Sequence, residues 1–399
     1  MVNKKIKYRY FKEAVFKTIG IASIGIALLM LFMLLLSIVI KGYSAFYTHY
    51  YKINIELNDN SNDYEDILKN SFKNAINKYN NKLNISDDEI SNLISQYSIN
   101  EIINMEKSNS LQNGQSFYIL ASSNVDMILK QYLSEDNLDE NTLHILNTIK
   151  DTNLVVKKFN FIFFNHNDSR YPEIAGIKGA FLGSMYTIFL TLIFSVIIGV
   201  GAGIYLEEFT KKTFLNSMIE LNINNLAAIP SIVFGLLGLI VFQQFFNIPR
   251  ATPLLASCVL SLMALPTIII ATKIALSSVP SHIKEAAYGM GATKLQVIVD
   301  HMLPISSSSI LTGIIIGISR VIGETAPLMM IGMIAFMDSA PTSFTHKTTM
   351  FPVQIFLWST SPEAGYVEKA SAAIILLLIV LIFINWFSIY LRKKLEVKL

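Results

Sequence analysis

Two charged side chains stand in one of the most apolar stretches of this chain. From Pro304 to Met337 only Arg320 and Glu324 are charged, inside "SRVIGETAPLMMIG" at 319–332. On a continuous helix four residues turn the chain about 400°, so both would lie on nearly one face and could pair. An isolated charge at mid-membrane costs roughly 2.5–3.5 kcal/mol on insertion scales, and pairing offsets part of that. Such residues point into protein or a wet cavity rather than lipid. A guanidinium fork in that setting suits the oxygens of an anion. The bland alternative is an ion pair that only braces helices.

The elements that position such a pair must be spanning helices. Hydrophobic residues make up 52% of the 399 and charged residues only 15%, against about a quarter charged in a soluble domain. Six segments satisfy the roughly 20 apolar residues a spanning helix needs: 18–40, 179–206, 221–246, 251–276, 305–337 and 370–390. The first reads as an uncleaved anchor, too long for a signal-peptide core and without a small-x-small cleavage site. Lys and Arg are retained on the cytoplasmic side. The basic ends "VNKKIKYRYFKEAVFK" and "LRKKLEVKL" and the loops with Lys211, Lys284 and Lys294 therefore share that side. Membrane lipid is the surrounding medium, and a net charge of +3 points to no nucleic-acid partner. Cys258 is the only cysteine, and the six histidines are scattered, so no disulfide or metal cluster is expected.

Residues 1–42 thus hold a cytoplasmic segment and the first span, 43–175 a polar extracytoplasmic insertion, and 176–399 five further spans. The insertion reads as a small α+β domain. Ile67, Phe72, Ile76 and Tyr79 fall near one helical face. Ser86 with Glu89, and Ser98 with Glu101, match capping boxes, while "SFYIL" and "NLVVKKFNFIFF" look strand-like.

The loop 277–304, "SSVPSHIKEAAYGMGATKLQVIVDHMLP", carries Glu285-Ala286-Ala287, then Gly291, then Leu303-Pro304. Small alanines allow close approach, and the glycine allows a sharp turn. This spacing resembles the coupling loop of bacterial ABC importer permeases, which docks two short helices onto a separate ATPase. His301 departs from that pattern, which is apolar there. The chain has no G-x-x-x-x-G-K-[ST] run of its own. The resemblance therefore implies that ATP and magnesium belong to the partner and that no cofactor sits on this chain.

"GSMYTIFLTLIFSVIIGVGAGIYLEEF" at 183–209, "AAIPSIVFGLLGL" at 227–239 and "RVIGETAP" at 320–327 are similar, in this order, to PstA-type permeases of the inorganic phosphate ABC transporter. The resemblance implies a MetI-like type I importer fold, all-α with six transmembrane helices. It implies a second homologous, PstC-like permease, two PstB-like ATPase subunits and a PstS-like extracytoplasmic phosphate-binding protein. It makes Arg320, Glu324 and Thr325 candidates for the translocation pathway. Another oxyanion, such as molybdate or sulfate, is the alternative cargo. A membrane sensor is a weaker reading, because it leaves the coupling loop without a purpose. On the helix after that loop, Ser309, Gly313 and Gly317 form a small-xxx-small ridge expected to serve packing.

Overall fold

In the computed structural model of the chain, residues 2–54, 64–78, 85–98, 116–211, 213–334 and 336–395 are described. The first helix, α1 (Val2–Tyr43), is one long rod whose most apolar window holds no buried residue. That exposure suits a helix that faces lipid.

An outer unit follows. Its central strand β1 (Tyr47–Asn54) pairs antiparallel with β2 (Ser116–Leu120) on one side and β3 (Val155–Phe159) on the other. Tyr51 sits opposite both Ile119 and Val155. The pleat sends Tyr51 and Ile53 to one face. There α2 (Tyr64–Asn77), α3 (Asp87–Leu93), α4 (Ser123–Leu129) and α5 (Glu140–Ile149) close a core around Phe72, Ile90, Val125 and Leu146. Ile67, Phe72 and Ile76 are buried together as their spacing predicts, while Tyr79 lies outside the described residues. Ser86 and Glu89 form a complete capping box, with Ser86 N–H donating to Glu89 Oε2 at 2.7 Å. Glu101 lies outside the described residues, and Ser98 Oγ instead accepts from the Leu120 amide at 3.1 Å. The expected strand over "NLVVKKFNFIFF" stops at Phe159. Asn160 Oδ1 then accepts from Phe163 N–H at 3.1 Å and caps a short helix, α6 (Phe161–Asn165).

The membrane core is built on two helices, α7 (Lys178–Ile204) and α10 (Pro253–Ser277). Along α7 every fourth residue is small: Gly183, Thr187, Thr191, Ser195, Gly199 and Gly203, all buried. A Cβ on Gly203 would stand 2.6 Å from Thr272 Cβ, so the backbones approach as closely as glycine permits. Helix α10 is the most buried of the long apolar helices, and α13 (Leu303–Ile322) lies against its other side. Gly313 meets Ala271 there and Gly317 meets Ile268, so the ridge is a packing surface. Ser309 is exposed and takes no part in it. The last helix, α16 (Ala364–Leu395), packs against α1, α13 and α15 (Phe351–Ser359).

Two of the apolar segments are not straight spans. Residues 221–246 fall on α8 (Phe214–Leu226) and α9 (Ser231–Leu237), which continues as a wider π-type turn to Phe245. The halves meet at 108°, so among the described residues five helices are long and apolar enough to cross a membrane, and six if this bent pair counts as one. Pro230 explains the break: it has no N–H to donate, and it drives Ile229 out of the helical region. The expected helix over 305–337 also ends early, at Ile322, with Gly323 as its C-cap.

The outer unit is fastened to the core by buried charges. Lys130 Nζ lies 2.7 Å from Asp126 Oδ2 and 3.1 Å from Glu368 Oε1 on α16. His49 Nδ1 completes the row, 2.8 Å from Asp126 Oδ1. Burial pushes the Asp126 carboxyl up, but Lys130 and His49 outweigh it and hold the group below its ordinary value. The next residue, Lys369, donates to the Glu173 and Ala175 carbonyls, which lead into α7.

Candidate functional site

The loop between α10 and α13 folds on itself. Helix α11 (Ser281–Gly289) carries Glu285, Ala286 and Ala287; Gly291 turns the chain, and α12 (Lys294–Gln296) starts the return. Gly291 takes φ +86°, a conformation that costs any L-residue with a side chain roughly 1–2 kcal/mol. Thr293 and Gln296 form a capping box at the start of the return, a T-x-x-Q signal readable in the sequence. Ala287 is buried against Leu276, Val297, Ile298 and Met302, and this small core holds the hairpin closed. Leu303 packs at its edge, and Pro304 enters α13 just after a π-type turn, Val297–Met302, that joins it to α12.

What remains outside is informative. Glu285 and Ala286 are exposed. So are Tyr288, Met290, Leu295 and Val299, with Met290 79% accessible. An exposed apolar tip held on a hairpin is the kind of patch that marks interaction surfaces in proteins generally. The π-type turn that continues α7, Tyr205–Phe209, braces it. Lys284 Nζ is 2.7 Å from Glu208 Oε1, and Lys294 Nζ lies 4.9 Å from the Phe209 ring centroid. Sequence reasoning did not assign these bracing roles to Glu208 and Phe209, because the partners are some 76 and 85 positions apart.

The second group lies at the far end of α13, which runs on from residue 294 as one continuous helical segment to Ile322. Arg320 is in the last turn, where a cation complements the carbonyl end of the helix dipole. Its side chain is exposed in this chain, and no ion pair joins it to Glu324. This corrects the helical-face expectation: with the helix closed at Gly323, the 100° step no longer applies, and Glu324 sits half-buried in the break. Thr325 starts α14 (Ala326–Met330) but makes no side-chain cap. Pro327 and Met330 hold that short helix under α9, where Gly235 allows contact at backbone distance. Ser319, beside Arg320, ties α13 to α16 through Asn385 at 2.9 Å. The structure therefore separates the two candidate groups along one helical segment, the hairpin at its base and, at its tip, a guanidinium with no ion-pair partner among the described residues. Among the described residues no three His, Cys, Asp or Glu gather as a metal site would require.

Long apolar rods, a bent helix pair and an exposed hairpin make up the architecture of a multi-pass membrane protein. Comparison with known proteins narrows that class. The chain belongs to the family described as binding-protein-dependent transport system inner membrane component, which matches residues 195–397, and it is PstA-type within it. A phosphate transport system permease protein PstA from Yersinia pestis is 32% identical over 222 residues, covering 55% of this chain and 74% of that protein. The probable ABC transporter permease protein YqgI of Bacillus subtilis is 26% identical over 257 residues, covering 60% and 87%. Residues 3–138 match a domain of unknown function, DUF3333. Among solved structures, the inward-facing MetNI methionine ABC transporter matches with 17% identity and a TM-score of 0.45, over 55% of this chain and 96% of that one.

Proposed function

We propose that this chain forms half of the transmembrane pathway of an ATP-driven phosphate importer. A second, homologous permease supplies the other half. Two ATPase subunits bind ATP and magnesium and dock on the 277–304 hairpin, and an extracytoplasmic protein delivers phosphate. The chain itself performs no chemistry, and both its ends are cytoplasmic.

The observation that carries this reading is the continuous helical segment, 294–322, between hairpin and guanidinium, π-type over Val297–Met302 and α-helical from Leu303 onward. A rigid rod transmits a displacement of its base to its tip, because its backbone hydrogen bonds do not yield in steps. Closure of the ATPases under Glu285, Tyr288 and Met290 then moves Arg320. An exposed arginine at membrane depth needs water, anion or a partner chain beside it. A phosphate oxygen on its way through satisfies the fork in two hydrogen bonds, and Glu324 and Thr325, in the hinge just beyond, face the same passage.

Uptake of radiolabelled phosphate by the assembled complex tests this. Arg320→Gln should abolish transport while the ATPase subunits still co-purify. Uptake persisting at normal rate and KM removes Arg320 from the pathway. Competition by molybdate or sulfate at phosphate-like concentrations would transfer the assignment to another oxyanion.

A further inference from the structure

We propose that one edge of the outer unit is seated in the phospholipid headgroups around α1, with Lys41 and Lys157 placed to meet anionic lipid phosphates. The argument starts from how charge is divided along the insertion. Residues 55–153 hold sixteen Asp and Glu against seven Lys. The flanking stretches 41–54 and 154–165 hold no acidic residue, four lysines and nine aromatic rings. An acidic domain therefore has one border that is purely basic and aromatic.

The fold brings those two stretches together. Pairing of β1 with β3 sets Tyr47 opposite Phe159 and His49 opposite Lys157. The rings then run from the end of α1 outward: Tyr43 tilted on Tyr47 at 5.4 Å, then edge to face, Tyr47 to Phe159 at 6.2 Å and Phe159 to Phe161 at 4.9 Å. Lys157 Nζ stands 4.7 Å from the Tyr47 ring centroid. The far members of the run are open, Tyr43 58% and Phe161 66% accessible.

Position decides the occupant. Tyr43 is the last residue of α1; that end packs against α16 at Gly42, while its open side, with Val39, Ile40 and Tyr43 exposed, continues the uncovered apolar surface of the helix. The aromatic run is therefore continuous with a lipid-facing surface and begins at the height where hydrocarbon gives way to headgroups. Tyr and Lys are favoured at that depth, the ring partly in the apolar layer and the amine among phosphates. Phe161 has no polar atom and gains nothing from water. A soluble docking partner would need to reach down to the bilayer surface to cover the same rings.

The test uses the full chain, assembled with its partner subunits in nanodiscs of phosphatidylcholine and phosphatidylglycerol. In a Cys258→Ala background, a nitroxide is placed by Phe161→Cys or, as control on the acidic side, by Glu135→Cys. Power saturation should find the label at 161 several-fold more accessible to oxygen than to a water-soluble nickel complex, and the label at 135 the reverse. A label at 161 as open to nickel as the control overturns the proposal. So does one that becomes shielded only when the soluble extracytoplasmic partner is added. In a second arm that leaves the rings intact, Lys41→Gln with Lys157→Gln should at least halve the phosphatidylglycerol retained in native mass spectrometry. Lys52→Gln should leave it unchanged, and equal retention in all variants refutes the role of the lysines.

Discussion

Replacing Lys130 by methionine tests how the outer unit is held to the membrane core. Lys130 is 6% exposed and sits between Asp126 and Glu368, themselves 8% and 2% exposed. Methionine keeps the length and apolar stem of the side chain, so the change removes charge with little change in volume. Two buried carboxylates lose their cation. Removing one partner of a buried pair typically costs 3–5 kcal/mol, because the stranded charge keeps its desolvation penalty. Asp126 retains His49, whereas Glu368 has no other cation within pairing distance among the described residues and must take up a proton or draw in water. We therefore expect a loss of about 3 kcal/mol in docking of the outer unit, a roughly hundredfold rise in its open population. Limited proteolysis of the detergent-solubilised chain under native conditions reads that population directly when opening is fast. The double variant Lys130→Met, Glu368→Gln should recover much of the loss, since no carboxylate is then stranded on α16. An unchanged cleavage rate for Lys130→Met would refute the claim that this charge row fastens the two parts. A double variant no better than the single one would show that the loss comes from packing.

Three further outcomes follow from the same structure. Asp126 has its carboxyl held low in the folded chain, so its contribution is complete above the unfolded value near 4 and disappears as pH falls through the folded one. Protease resistance of the outer unit should accordingly be flat from neutrality to about pH 5 on this account and decline below about pH 4. Gly291→Val forces a β-branched residue to φ +86° at a cost of about 1–2 kcal/mol or more. The hairpin should lose its shape and the co-purified ATPase should fall, while the amount of chain in the membrane stays the same. Gly203→Leu drives a side chain into Thr272 and the Ile269 carbonyl, and overpacking of this kind costs typically 1–3 kcal/mol. The midpoint of thermal unfolding in detergent should drop, and Gly201→Leu, which has nothing within 4 Å, should leave it in place.

The sequence by itself determined the membrane class, the apolar segments and the existence of a turning hairpin at 277–304. Each of these is written in local terms: run length, apolar content, a glycine in a fixed place among small and capping residues. The four-residue stripe on α7 and the T-x-x-Q box at 293–296 are equally local patterns, but their roles emerged only with the structure. The tertiary structure decided what depends on where an element stops and on what meets it. Arg320 and Glu324 are four apart in sequence, but Gly323 ends the helix between them, so spacing alone misplaced the pair. Pro230 ends the helix locally, but the 108° bend at which α8 and α9 meet is set where α9 packs on Pro327 and Met330. Strand β1 carries no strong periodicity of its own and becomes central because two strands, some 70 and 105 residues downstream, pair with it on both sides. The charges that join Lys130 to Glu368 lie 238 positions apart. No local rule links such residues, since their attraction acts only after the chain has folded and water has been removed from around them.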